Sequence, residues 1–156
     1  MHDYSTILQR ILSEYALPLD GYHGIIHWAR VYENGLKVAE VSGADTEVVK
    51  LFALFHDSRR INESWDEGHG SRGGELAKSL RGELIHLDDT RFELLYEACR
   101  LHTDGLTTAD ATLGTCWDAD RLDLGRVGIT PHARFMSTAM GRQVAHHGSI
   151  DKFLSA

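Results

Sequence analysis

Six side chains in this sequence are of the kinds that bind transition metals: His27, the adjoining His56 and Asp57, His69, His102 and Asp120. Imidazole nitrogen combined with carboxylate oxygen suits iron, manganese or zinc, whereas calcium prefers oxygen alone. One or two divalent ions held by such a set acidify a bound water toward neutral pH. The chemistry expected is therefore hydrolysis at a metal centre, by a metal-bound hydroxide. The His56-Asp57 dipeptide alone says little, because ten histidines and thirteen aspartates in 156 residues produce about one such pair by chance. His2-Asp3 is another. What sets His56-Asp57 apart is the run Val48-Val49-Lys50-Leu51-Phe52-Ala53-Leu54-Phe55, which reads as a buried helix leading straight into the pair.

Residues three or four apart share one face of a helix, and each candidate falls on an apolar face. His27 aligns with Val31, Gly35 and Val38, and His56 with Val49, Phe52 and Ala53. His69 aligns with Gly73, Leu76, Ala77 and Leu80, and His102 with Phe92, Leu95, Tyr96 and Cys99. Asp120 follows Leu113, Cys116 and Trp117 and precedes Leu124. A lone histidine on an apolar face is usually a core residue satisfied by a neighbour. Several on separate helices argue for a common partner, since an unpaired buried charge costs several kcal/mol. For Asp120 the alternatives are a pairing with Arg121 or Arg126, and Asp118 competes for its role on the partly apolar face of Ala111, Gly114 and Leu122.

The elements that must position these groups are helices. With only Pro18 and Pro131 as prolines, and helix-period hydrophobicity in stretch after stretch, the chain is expected to be an all-α bundle of about six or seven helices. The first spans about 3–15. The second runs from near Gly24 to Ser42, where Ser42-Gly43 stops it, and Asp45 or Thr46 caps the third. A polar loop over 62–70 should border the site. Further helices are expected over about 70–81, 89–102 and 108–124, with Asp88-Asp89 as a cap, and a last one starting at Thr130-Pro131.

A chain of 156 residues, 42% hydrophobic and 25% charged, fits one domain spanning residues 1–156. Its formal charge of -7 disfavours a nucleic-acid polymer or an anionic membrane as partner. No apolar run is long enough to span a bilayer, and the first residues lack a basic, apolar leader, so a soluble cytoplasmic protein is expected. Cys99 and Cys116 read as reduced core thiols. An anionic substrate would need local positive charge, for which Arg59, Arg60 and Arg72 are candidates alongside the metal. His23 either pairs with His27 one turn later or lies at the start of that helix as a substrate or supporting contact. His2, His86, His132, His146 and His147 read as surface histidines.

In the order His, His-Asp, Asp, the chain resembles the HD superfamily of metal-dependent phosphohydrolases. His27-Trp28-Ala29-Arg30-Val31 is similar to the first segment, Leu54-Phe55-His56-Asp57 to the second, and Asp118-Ala119-Asp120-Arg121-Leu122-Asp123 to the closing one, where the ligand Asp precedes a basic residue. That resemblance favours Asp120 over Asp118. His69-Gly70-Ser71-Arg72-Gly73-Gly74 and Leu101-His102-Thr103-Asp104-Gly105 resemble the extra histidine segments of the binuclear branch, which includes bacterial diadenosine tetraphosphate hydrolases. The likeness covers about 21–127, leaving 1–20 and 128–156 as flanking helices. It implies metal ligands at His27, His56, Asp57, His69, His102 and Asp120, with Asp57 bridging two ions and His69 and His102 serving the second. It further implies a nucleotide or other phosphoester as substrate. The rival expectations are a di-iron oxygenase using the same ligands and a non-catalytic, ligand-sensing module of the same fold.

Overall fold

The computed structural model describes residues 2–156. These residues form eight α-helices and two single 3-10 turns, and among them no strand occurs beyond an isolated bridge between Arg81 and Ile85. The expected all-α class is what the chain adopts. α1 (Tyr4–Leu12) starts where the Asp3 carboxylate accepts from the Thr6 amide. α2 (Ile25–Ser42) ends at Gly43, whose left-handed φ of 74° favours a residue without a β-carbon. Of the two candidate caps for α3 (Thr46–Phe55), Asp45 takes the role and accepts from the amides of Glu47 and Val48. α4 (His69–Ser79), α5 (Asp89–Leu101) and α6 (Ala111–Arg121) follow, the last two capped by Asp88 and Asp110.

The apolar run of α3 is buried along its length, and α1, α2, α4, α5 and α6 all pack on it. α2 lies against α6 and α4 against α5, so the helix that delivers His56-Asp57 sits between two helix pairs. α4 comes very close to its neighbours. A β-carbon on Gly70 would stand 2.2 Å from the Cys99 carbonyl oxygen, and one on Gly73 2.2 Å from that of Phe55. Two glycines one turn apart thus let α4 rest directly on the ends of α3 and α5.

Past α6 the chain departs from expectation. Thr130-Pro131 starts no helix. His132 is extended, Ala133–Phe135 is a single 3-10 turn, and α7 (Ala139–His147) begins at Thr138, whose hydroxyl accepts from the Gly141 amide. The reason is tertiary: Asp118 accepts from the amides of Ser137 and Thr138, and Arg121 donates to the carbonyl of Phe135, which ties 135–138 to α6. α7 then covers a small core of Val38, Leu122, Met136, Met140, Val144 and Ala145, and α8 (Ile150–Leu154) packs beside it. A second correction concerns His2, expected at the surface. It is buried, with Nδ1 2.8 Å from a Glu47 carboxylate oxygen and Nε2 accepting from the His86 amide. Cys99 and Cys116 are buried free thiols, and burial pushes both above the usual thiol range. No helix among the described residues is long and apolar enough to cross a membrane.

Candidate metal centre

Five elements deliver the six candidates to one point. His27 lies in the first turn of α2, His56 caps the C-terminus of α3 with Asp57 next, His69 opens α4, His102 caps α5, and Asp120 lies in the last turn of α6. The four histidines and Asp57 are buried, and the Asp120 side chain is 15% exposed.

The imidazoles share one orientation logic. Their Nδ1 atoms face groups that can only accept: Asp123 Oδ2 at 2.7 Å for His27, the carbonyls of Phe52 and Ala53 at 3.1 Å for His56, that of Asp66 at 2.6 Å for His69, and that of Cys99 at 2.7 Å for His102. Each Nδ1 therefore carries the hydrogen, which leaves every Nε2 with an inward lone pair in the neutral ring. The Nε2 atoms meet in pairs, His27 with His56 at 3.0 Å and His69 with His102 at 3.0 Å. Two lone pairs at that distance repel unless a proton or a cation lies between them.

Asp57 faces both pairs. Its Oδ2 is 3.4 Å from Nε2 of His27 and 3.4 Å from that of His56, while its Oδ1 is 3.1 Å from His69 and 3.6 Å from His102. Asp120 adds an oxygen to the first group, 3.1 Å from His27 Nε2 and 3.5 Å from His56 Nε2. Ligands about 2.1 Å from one ion stand about 3.0–3.4 Å apart at tetrahedral to right angles; most of these separations fall in that range, with 3.5 and 3.6 Å just beyond it. The groups His27, His56, Asp57 and Asp57, His69, His102 can each hold a metal ion.

Electrostatics agree with the donor count. Burial opposes ionisation of Asp57, but His56, His102, His23 and His27 hold its carboxyl well below the usual range. Burial likewise opposes ionisation of Asp120, and hydrogen bonds from His27 and His56 outweigh it. For His27 burial disfavours the cation, yet Asp120, Asp123 and Asp57 push its pKa up to about 10. With no metal bound, a proton on His27 occupies the place of positive charge.

The other expected residues separate clearly. Asp118 faces away, toward Ser137 and Thr138, with burial raising its pKa. Arg60 is at the site, its Nε 3.2 Å from Asp57 Oδ1 and its Nη1 donating to the carbonyls of Asn62 and Ser64. His23 precedes α2, with Nε2 donating to the Glu63 carbonyl and Nδ1 3.6 Å from Asp57 Oδ2. Arg59 and Arg72 are not brought to the cluster. Arg59 reaches Glu14, and Arg72 is held by Asp66 and the carbonyls of Arg59 and Glu67.

Two contributors were not foreseen. Asp123 holds Nδ1 of His27, and its position three residues after Asp120, on the same face, is the signal that could have found it. Arg121 is buried, donates to the Leu106 and Phe135 carbonyls through Nη1, and leaves Nη2 without a hydrogen-bond partner among the described residues. A pocket of about 480 Å³ opens on the cluster, and Asp57, His102, Asp120, Arg60, Arg121 and Arg126 line it.

Fold and site together define an all-helical protein with a buried histidine and aspartate cluster competent to bind metal. No family model matches the chain, and neither a curated protein nor a solved structure matches it.

Proposed function

We propose that this chain is a metal-dependent phosphohydrolase of the HD type that binds two divalent transition-metal ions and cleaves a small phosphorylated molecule. The observation that carries the reading is Asp57, whose two oxygens face two separate imidazole pairs, as a carboxylate shared by two ions must. A divalent ion bound there supplies Lewis acidity and an acidified water. The chain's own residues do the rest. Asp123 and the carbonyls of Phe52, Ala53, Asp66 and Cys99 hold the imidazoles in the ligating tautomer. Arg60 orients Asp57 from the side, and Arg121 and Arg126 bring positive charge to a pocket whose inner end is otherwise acidic. Placement of phosphoryl oxygens against arginine suits this wall.

The test is elemental analysis of protein purified without added metal, followed by a phosphatase and nucleotidase screen with manganese, cobalt or iron. About two ions per chain are expected, falling toward one in His69→Ala or His102→Ala, with phosphate released from at least one ester. Absence of bound metal, together with unchanged stability in His56→Ala, removes the site. Oxygen consumption without phosphate release assigns the di-iron oxygenase chemistry instead, and ligand binding without turnover assigns the sensing module.

A further inference from the structure

The pocket over the cluster is two-ended. Its deep end is polar and buried: Asp57, His102 and Arg121 are all at least nine-tenths covered, and Arg121 Nη2 still has a hydrogen to donate. Its outer end is apolar and open, with Trp65 81% exposed, Ile129 52% and Phe135 41%. Trp65 stands on the loop between α3 and α4, and Ile129 and Phe135 on the segment between α6 and α7, so separate parts of the chain bring large apolar side chains to one mouth. Trp65 also lines a second depression, shared with Arg60 and Thr103, on the His69 side. Isolated exposed apolar residues need no explanation, but three around the mouth of a cavity that ends at buried donors do.

We infer that the substrate is a phosphoester whose organic group is a flat apolar ring, with the phosphoryl group inward at the cluster and Arg121, and the ring against Trp65 at the mouth. This rests on the phosphohydrolase reading for the inner end and goes beyond it in selecting the ester. A ring laid on an indole face is held by stacking and by loss of wetted apolar surface. A short polar ester, or inorganic phosphate, leaves those surfaces wet. Trp65 is thus the specificity-determining residue, and it takes no part in bond cleavage.

The experiment compares phenylphosphonate with methylphosphonate as non-hydrolysable probes on the zinc-reconstituted full chain, by calorimetry and by tryptophan fluorescence. Trp28 and Trp117 are buried, so a change in emission on phenylphosphonate binding reports Trp65 and should vanish in Trp65→Phe. Phenylphosphonate is expected to bind at least about tenfold more tightly. Trp65→Ala should bring its affinity down to that of methylphosphonate, and Trp65→Phe should restore most of the difference. Because Trp65 is so exposed, neither variant threatens the fold. Equal affinities in the unmodified chain, a preference that survives Trp65→Ala, or binding of neither probe overturns the inference. Phosphate release tests the other reading separately: a chain that cleaves esters yet shows no phenyl preference keeps the hydrolase and loses the ring site, while a chain that prefers phenylphosphonate and releases no phosphate does the reverse.

Discussion

At the scale of single residues, His27 decides how the site responds to pH. Its neighbours Asp120, Asp123 and Asp57 raise its pKa to about 10, so at neutral pH the metal-free chain carries a proton there that an incoming ion must displace. Metal binding at pH 7 should release about one proton at His27, measured from the dependence of calorimetric heat on buffer ionisation. A folded-state pKa above the unfolded value means that the imidazolium stabilises the metal-free fold. That contribution is complete below about pH 6.5 and lost as pH rises through about 10, which urea titrations along the pH axis should show. Asp123 supports the same ring from behind. Asp123→Ala is expected to weaken metal binding about 10- to 100-fold in competition with a chelator of known affinity.

Helices turn these side chains into a site, and their termini matter most. His56 and His102 cap the ends of α3 and α5 while His69 begins α4, so carbonyls at the helix ends hold their Nδ1 atoms, those of Phe52 and Asp66 in addition to accepting from the backbone amides of His56 and His69. Gly70 makes the junction of α4 and α5 close enough for His69 and His102 to pair. Gly70→Ala should cost about 1–3 kcal/mol in urea unfolding and reduce metal content toward one ion, because the new methyl must displace the Cys99 carbonyl that orients His102. Much of this level was legible in the sequence. Each candidate ligand lies on an apolar stripe, and a stripe records burial. Hidden were features fixed by distant partners: the start of α7 at Thr138 depends on Asp118, the burial of His2 on Glu47 and His86, and the placement of Arg121 on the Leu106 and Phe135 carbonyls. Arg59 and Arg72 pointed elsewhere because Glu14 and Asp66 claim them, and local spacing carries no sign of either pairing.

For the molecule as a whole, the cluster concentrates polar groups where a bundle of this size would otherwise keep apolar packing. Four buried imidazoles and two carboxylates are tolerable when a cation is shared among them and costly when it is not. Metal at about a hundred times its dissociation constant adds about 2.7 kcal/mol to stability. Chelation should therefore lower the melting temperature by about 5–10 °C, and readdition of zinc or manganese should restore it. The same scan on His56→Ala, which removes a ligand from the group containing Asp120, should show a smaller response to chelator.

The candidate ligands are spread over positions 27 to 120, each on a helix or within the first two residues past a helix end. No fragment lacking one of these helices, and no early folding intermediate with only neighbouring helices formed, can present more than part of the donor set. On the proposed reading, capture of metal is consequently a late event that completes folding. In a cell short of metal, this chain would finish synthesis with its last locking step still outstanding, and protease sensitivity of newly made protein should rise before any loss of secondary structure becomes visible.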